Sequence, residues 1–360
     1  MNENTLEQIG FNDFYKQEAA SYAQFYPARI SSQHKDVYKA ITQNGEIQAR
    51  VSGKFAYATS SPADFPAVGD WVLIDREAAG QGDAVIHHIL PRKSVFERKS
   101  AGRSNDIQIV AANIDFLFIC MSVNNDFNIR RLERYLSIAW DSGSMPVIVL
   151  TKADLCEDIG DRLAKVYEAA IGVDVVTVSV EEENSYLAVK NRVGFGKSAA
   201  FIGSSGVGKS TLINALMGEE VLAVNGIREE DDKGRHTTTH RQLLIMPDGG
   251  AVIDTPGMRE LQLESGDVSQ SFSDIEEYAA HCRFSDCSHL KEPGCAVKEA
   301  IESGTLPSER FQNYLKLKRE LAYQELKAKK REQAKAINMF GSVNAMKKVS
   351  HQLKQGNKRS

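Results

Sequence analysis

GSSGVGKST, residues 203–211, stands between an apolar run, SAAFI (198–202), and a helix-forming run, STLINALMG (210–218). Gly203, Gly208, Lys209 and Ser210 fit the pattern G-x-x-x-x-G-K-[ST]. A strand, a glycine-rich loop and a helix in that order are the context in which this pattern binds phosphate. Glycines permit backbone angles closed to other residues and let N–H groups point inward at an anion. The helix N-terminus adds partial positive charge at the same point. Lys209 is expected to reach the β- and γ-phosphates, and Ser210 to ligate Mg²⁺. The bland alternative is a turn between a core strand and a helix.

Working outward, TKAD (151–154) precedes this loop and DTPG (254–257) follows it. AVIDTPG (251–257) is an apolar strand ending in an acid, so Asp254 can serve the Mg²⁺ shell and the Gly257 N–H can sense the γ-phosphate. PVIVLTKAD (146–154) has the same design. Asp154 can accept hydrogen bonds from guanine N1–H and N2–H₂, a donor pair adenine lacks, which selects GTP over ATP. Lys152 would lay its stem over the base. VVTVSV (175–180) brings Ser179 to the last base-contacting position, with Val180 where alanine is usual. GTP contacts are therefore expected from Thr151, Lys152, Ala153, Asp154 and Ser179, from Gly203, Ser204, Ser205, Gly206, Val207, Gly208, Lys209, Ser210 and Thr211, and from Asp254 and Gly257. In ordinary Ras-like GTPases the base-reading motif comes last. Here it comes first, so the chain looks like a circularly permuted GTPase.

HCRFSDCSHLKEPGCAV (281–297) holds a second constellation. Cys282, Cys287, His289 and Cys295 form C-x₄-C-x-H-x₅-C, and three of the five cysteines of the chain fall here. Three thiolates and one imidazole suit a closed tetrahedral Zn²⁺, structural and not catalytic. His281 competes with His289 as the imidazole ligand, and His289 is preferred because it lies between cysteines in a turn.

The 360 residues predict two or three domains. No segment approaches the ~20 apolar residues of a membrane span, so no membrane partner is expected. MNENTLEQIG does not read as a signal peptide. Lone Cys120 and Cys156 beside a thiolate metal site predict a reducing, cytoplasmic setting. The net charge of −4 conceals an asymmetry. From residue 308 onward there are 14 Lys/Arg against 4 Asp/Glu, while the rest carries 30 basic against 44 acidic residues. A basic tail on an acidic body points to a polyanion such as RNA, although a solvated helix face explains part of it equally well.

Along the chain, residues 1–24 read as a short helical extension. Residues 25–98 hold five short alternating runs, ARISSQ, VYKAIT, EIQARVS, DWVLID and AVIHHIL, which fit a small OB-fold-like barrel. Arg29, Arg50, Lys54, Phe55 and Tyr57 there could make a nucleic-acid surface or serve the barrel core and rim. Residues 105–265 alternate strand and helix. IDFLFICMSV (114–123), IRRLERYLSIAW (129–140) and PVIVL (146–150) make a βαβ unit, hence a mainly parallel sheet. Residues 270–335 read as helices around the metal knot and 336–360 as a basic tail. The fold class is thus multidomain α/β: an N-terminal β-barrel, a permuted P-loop GTPase domain and a C-terminal helical zinc-binding domain.

The order TKAD, GSSGVGKST, GRHTTT, DTPG and C-x₄-C-x-H-x₅-C, behind a β-rich domain, resembles the RsgA/YjeQ family of bacterial ribosome-assembly GTPases over about residues 25–335. The resemblance implies binding to the small (30S) ribosomal subunit and its 16S rRNA in late maturation, with GTP hydrolysis permitting release. A monomer is expected. GRHTTTH (234–240) lies where switch I belongs. One of Thr237, Thr238 and Thr239 should complete the Mg²⁺ shell, with Thr238 as the working choice. Met258 stands where Ras-type enzymes carry a water-orienting glutamine. Methionine cannot orient water, so free turnover should be slow, and His236 is the nearest candidate catalytic group, though a solvated or RNA-contacting histidine fits as well. Two other classes compete. One is an RNA-binding assembly factor that uses GTP as a conformational ligand. The other is a P-loop ATPase or small-molecule kinase, against which TKAD argues.

Overall fold

The computed structural model describes residues 5–59, 61–78, 80, 82–99, 107–124, 126–179, 181–182, 184–222, 241–254 and 271–340. It divides into two compact units, Met1–Gln262 and Leu263–Ser360. GRHTTTH with His236 and Thr238, and the Gly257–Met258 pair, lie outside the described residues.

All five N-terminal runs form strands: β1 (Tyr26–His34), β2 (Val37–Thr42), β3 (Gly45–Val51), β4 (Trp71–Ile74) and β5 (Ala84–Ile89). They pair in the order β1-β2-β3-β5-β4, and β4 returns to β1, which closes a barrel. Period-two alternation explains the filling: in β3, Ile47 and Ala49 face inward, whereas Glu46, Gln48 and Arg50 face out. Ile30, Tyr38, Val72, Ile74 and Ile86 complete this core.

A hairpin follows, β6 (Val95–Lys99) with β7 (Ile107–Ala112). The second sheet holds β8 (Phe116–Ser122), β9 (Met145–Thr151), β10 (Asp174–Val178), β11 (Ser198–Ile202), β12 (Gln242–Ile245) and β13 (Ala251–Asp254). Its order is β10-β9-β8-β11-β13-β12, parallel except for β12. A pairing of Ser32 in β1 with Gln242 in β12 makes it continuous with the barrel. The expected βαβ unit is present, with helix Ile129–Asp141 between β8 and β9. Leu132, Tyr135, Leu136 and Ala139 form the buried face of that helix. The winding runs outward from β8 through β9 to β10 in one direction and from β11 to β13 in the other. β8 and β11 therefore flank the switch point of the sheet, and ligands of open α/β sheets bind beyond the carboxyl ends of such strands.

The N-terminal segment is helical, at Thr5–Gln8 and Asp13–Ala20, but it is not peripheral. Leu6, Ile9, Phe11 and Tyr15 are buried. The Gln8 carbonyl accepts from the N–H groups of Gly196 and Gly250, and the Tyr15 hydroxyl donates to Asn113 Oδ1 at 2.9 Å. At the centre lies Arg29, for which a nucleic-acid role was one reading. The structure corrects that reading, because Arg29 is only 1% exposed. Its guanidinium donates to the carbonyls of Ile9, Gly69 and Asn113 and to Ser198 Oγ, and it lies over the Trp71 ring. Burial pushes it down to about 10, with Tyr15, Asp115 and Asp70 opposing the fall. A buried charge of this kind is tolerated only when its donors are met. Arg50 pairs with Asp83, while Lys54 and Tyr57 remain exposed.

The second unit contains helices Ser273–Ala280, Ala296–Glu302 and Ser308–Phe340. Arg310 grips Asp274 in the first turn of the first helix with bonds of 2.6 and 2.7 Å. Phe272, Ile275, Phe311 and Tyr314 are buried around that grip. No helix among the described residues is long and apolar enough to cross a membrane.

Candidate functional site

β11 delivers the glycine-rich loop 203–208, and helix Lys209–Met217 leaves it as expected. Gly203 passes so close to β8 that a Cβ there would lie 2.3 Å from the Cys120 carbonyl oxygen. Gly208, which caps the helix, has φ of 99°, a left-handed angle that favours glycine. Cys120 itself is buried, which pushes its thiol up to about 12 and keeps it protonated at neutral pH. The Lys209 ammonium folds back and donates to the Gly203 and Ser204 carbonyls, each at 2.7 Å. The cation is thereby held at the mouth of the loop, where phosphates can replace those carbonyls.

TKAD closes on the same edge. Thr151, at the end of β9, donates from Oγ1 to the Val207 carbonyl at 2.6 Å, tying the two motifs together. Lys152 adopts a left-handed backbone, φ 58°, a strained conformation for a side-chain-bearing residue. The single turn Ala153–Leu155 that follows presents Asp154 at the surface. Ser179, just beyond β10, donates from Oγ to Asp154 Oδ1 at 2.6 Å. Its loop is braced by Ser185, whose Oγ donates to the Ser179 carbonyl at 2.7 Å. Asp254 ends β13, beside β11, so it reaches the same edge as Ser210 in the first turn after the loop. The structure therefore brings segments 151–154, 179, 203–211 and 254 to one edge. Chemically, this edge offers an anion cradle with one lysine, an acceptor pair for an amidine-like base edge, and a hydroxyl with a carboxylate for a divalent cation.

Sequence reasoning missed Asp126. It lies in the loop after β8, accepts a hydrogen bond from the Ser204 hydroxyl and pairs with Arg131 at 2.8 Å. Its place is legible only from topology: β8 and β11 are parallel neighbours, so their following loops must meet.

In the second unit, the ligand atoms of Cys282, Cys287, His289 and Cys295 lie within 4.8 Å of one another. The Cys282–Cys295 Sγ separation is 3.9 Å, and each of these sulfurs is 3.5 Å from His289 Nδ1. Tetrahedral zinc with Zn–S of ~2.3 Å and Zn–N of ~2.0–2.1 Å demands S···S of about 3.8 Å and S···N of about 3.6 Å. The donor set therefore fits such an ion. His281 is not in the group, and its Nδ1 lies 2.8 Å from the Glu277 carbonyl. Burial holds His289 below the ordinary imidazole value, which favours the neutral ligand form. Burial opposes ionisation of Cys282, but the N–H groups of Val297 and Ala296 bring its thiol below the usual range. Burial and the adjoining thiols raise Cys287 instead, because three sulfurs cannot all ionise together without a cation among them. Glu292 binds the turn around His289, accepting from Ser288 Oγ and from the N–H groups of Leu290 and Lys291.

The sequence profile described as RsgA GTPase matches residues 89–264. The chain is 54% identical to small ribosomal subunit biogenesis GTPase RsgA 2 of Lactiplantibacillus plantarum, over 89% of this chain and 90% of that protein. The namesake protein of Listeria monocytogenes is 44% identical over 89% of this chain and 90% of its own length. Among solved structures, YjeQ from Thermotoga maritima has a TM-score of 0.63 at 27% identity, covering 83% of this chain and 99% of that one. YloQ, a circularly permuted GTPase, has a TM-score of 0.62 at 28% identity, covering 83% of this chain and 96% of that one. A barrel, a permuted order of motifs converging on one sheet edge and relatives this similar over nearly the whole length lead to one conclusion: the chain belongs to the RsgA GTPase family and is a GTP-hydrolysing enzyme.

Proposed function

We propose that this GTPase serves small (30S) ribosomal subunit biogenesis, binds the subunit through 16S rRNA as a cytoplasmic monomer, and uses GTP hydrolysis for release. The names of its relatives support the subunit, and the basic composition after residue 308 supports a polyanion partner. The observation that carries the nucleotide part is the meeting of 151–154, 179 and 203–211 at one sheet edge, through the Thr151–Val207 and Asp154–Ser179 bonds.

In this reading the loop N–H groups of residues 203–211 and Lys209 hold the phosphates. Asp154, oriented by Ser179, reads guanine. Ser210, Thr238 and Asp254 serve Mg²⁺, which neutralises charge developing on the phosphates. Gly257 senses the γ-phosphate. Met258 offers no water-orienting amide, so free turnover is slow, and His236 acts when the subunit is bound. The cluster Cys282, Cys287, His289 and Cys295 holds one structural Zn²⁺. Domains follow as 25–98 (OB-fold-like), 105–265 (GTPase) and 270–335 (zinc-binding), with 1–24 ahead and a basic 336–360 tail behind.

The test is phosphate release measured with and without purified small subunits. Stimulation of at least about tenfold is expected, which needs only ~1.4 kcal/mol of transition-state stabilisation. Equal rates in both conditions defeat the proposal.

A further inference from the structure

The phosphate loop carries a partner that the nucleotide reading does not use. Ser204 follows the first glycine of the loop, and its hydroxyl donates to Asp126 Oδ2. The same carboxylate oxygen takes Arg131 Nη2 at 2.8 Å, and Arg131 also donates to the Asp126 backbone carbonyl. Arg131 sits in the first turn of helix Ile129–Asp141, which packs on β8 and β9. Asp126 is not needed as the cap of that helix, since Asn128 Oδ1 accepts the Arg131 N–H at 3.0 Å. The chain thus places a carboxylate against a loop built to receive anions.

The position of Ser204 within the loop sets this carboxylate beside the distal phosphates. Lys209 Nζ lies 2.7 Å from the Ser204 carbonyl, and the lysine of such loops contacts the β- and γ-phosphates. Asp126 therefore stands beside the part of the loop that meets the β- and γ-phosphates. A diphosphate carries one phosphate and its charge fewer into this part of the loop. A triphosphate brings negative charge directly towards it, and like charges at contact distance repel. Arg131 supplies an alternative resting partner, so the carboxylate can leave Ser204 without losing its own neutralising cation.

We propose that Asp126, latched to Ser204 and backed by Arg131, discriminates nucleoside triphosphate from diphosphate: it favours the diphosphate-bound loop and is displaced when a γ-phosphate enters. Loss of the γ-phosphate lets the latch close again. Helix Ile129–Asp141 then feels the nucleotide state through Arg131. This inference rests on the proposed binding of guanine nucleotide by residues 203–211.

The experiment is calorimetric titration of the full-length protein with GDP and with a non-hydrolysable GTP analogue, both with Mg²⁺. Asp126→Asn keeps the hydrogen-bonding shape and removes the charge. It should raise affinity for the analogue by about five- to tenfold, the upper figure being ~1.4 kcal/mol, and that for GDP by less than about twofold. Asp126→Glu should keep the original ratio, because the charge is retained. Ser204→Ala opens the latch from the other side, serves if Asp126→Asn fails to fold, and should raise the ratio by about two- to threefold. A ratio unchanged in both Asp126→Asn and Ser204→Ala, or equal weakening of both ligands, overturns the latch while leaving nucleotide binding intact. An unmutated protein that binds neither ligand overturns the nucleotide reading and the latch together.

Discussion

The glycine-rich loop 203–208 draws its partners from far along the chain: Thr151 is 56 residues from Val207, and Asp126 is 78 residues from Ser204. The Cys/His cluster instead closes within the 14 residues from Cys282 to Cys295. The first site exists because a sheet aligns strand ends, and its cost of ordering is met by the buried core of Phe118, Val149, Phe201, Ile213 and their neighbours. The second packs on a small apolar cluster, with Phe311 edge-on to His289 and Val297 buried just after Cys295, and its four donors fit a metal ion that would close them together. A non-local site should therefore respond to mutation piece by piece, and a metal-closed local site all at once.

The largest expected effect lies in the metal site. Structural zinc contributes ~10–16 kcal/mol in small zinc-bound peptides. Cys282→Ser or Cys287→Ser should abolish stoichiometric zinc and remove amide-exchange protection across Ser273–Ala280 and Ala296–Glu302. Nucleotide binding by Met1–Gln262 should survive the change. Protection that persists in zinc-free protein would break the comparison at its root.

Next in size comes Arg29. Arg29→Met strands acceptors on the N-terminal segment, β4's approach, the β7–β8 junction and β11. Each buried acceptor left without its donor costs about 1–3 kcal/mol. The melting temperature should fall accordingly, with Arg29→Lys only partly restoring it, because an ammonium lacks the planar fork. A melting curve unchanged by Arg29→Met would show that the barrel and the sheet hold together without it.

Asp154→Asn tests the nucleotide site without touching the scaffold. It should lower GTP affinity by about 10²-fold or more, or ~2.7 kcal/mol, and move preference to a xanthine nucleotide, whose edge matches the amide. Competition binding with GTP, XTP and ATP measures it. Equal GTP affinity in the variant and the unmutated protein would remove Asp154 from base recognition.

How much of this was legible in the sequence follows the same division. The cluster was readable from spacing alone, down to the choice of His289 over His281. The barrel strands were readable from period-two alternation, as in EIQARVS. The hairpin β6–β7 was not, because SAGRSND between VFERK and IQIVAA has the composition of a linker. Residues 5–20 read as an appendage, since only Leu6 and Tyr15 of the four buried side chains lie in the two short helices, with Ile9 and Phe11 in the turn between them, which gives no strong period. For Arg29 the sequence left a nucleic-acid surface and the barrel core or rim both open, because arginine is mostly exposed and nothing beside it marks the exception. Only the register of β1, which turns Ala28 and Ile30 into the barrel core, sends Arg29 to the opposite face, where the N-terminal segment covers it. Asp126 had no signal in its own neighbourhood, and its meaning comes from a parallel neighbour strand more than seventy residues later.

The smallest expected effect sharpens the comparison most. Ser179 contributes one hydroxyl hydrogen bond of 2.6 Å to the Asp154 carboxylate, in an exposed setting. Hydrogen bonds to charged groups contribute ~1.5–3 kcal/mol when buried, and exposure to water reduces that to ~1 kcal/mol. Ser179→Ala should therefore weaken GTP binding by about fivefold. Because the bond acts on the base end of the ligand, kcat at saturating GTP should stay unchanged and KM alone should rise. In the Asp154→Asn background the same substitution should do almost nothing, since the two residues form one recognition unit and their effects cannot add. Full additivity in that double-mutant cycle would mean that Ser179 contacts the ligand independently of Asp154.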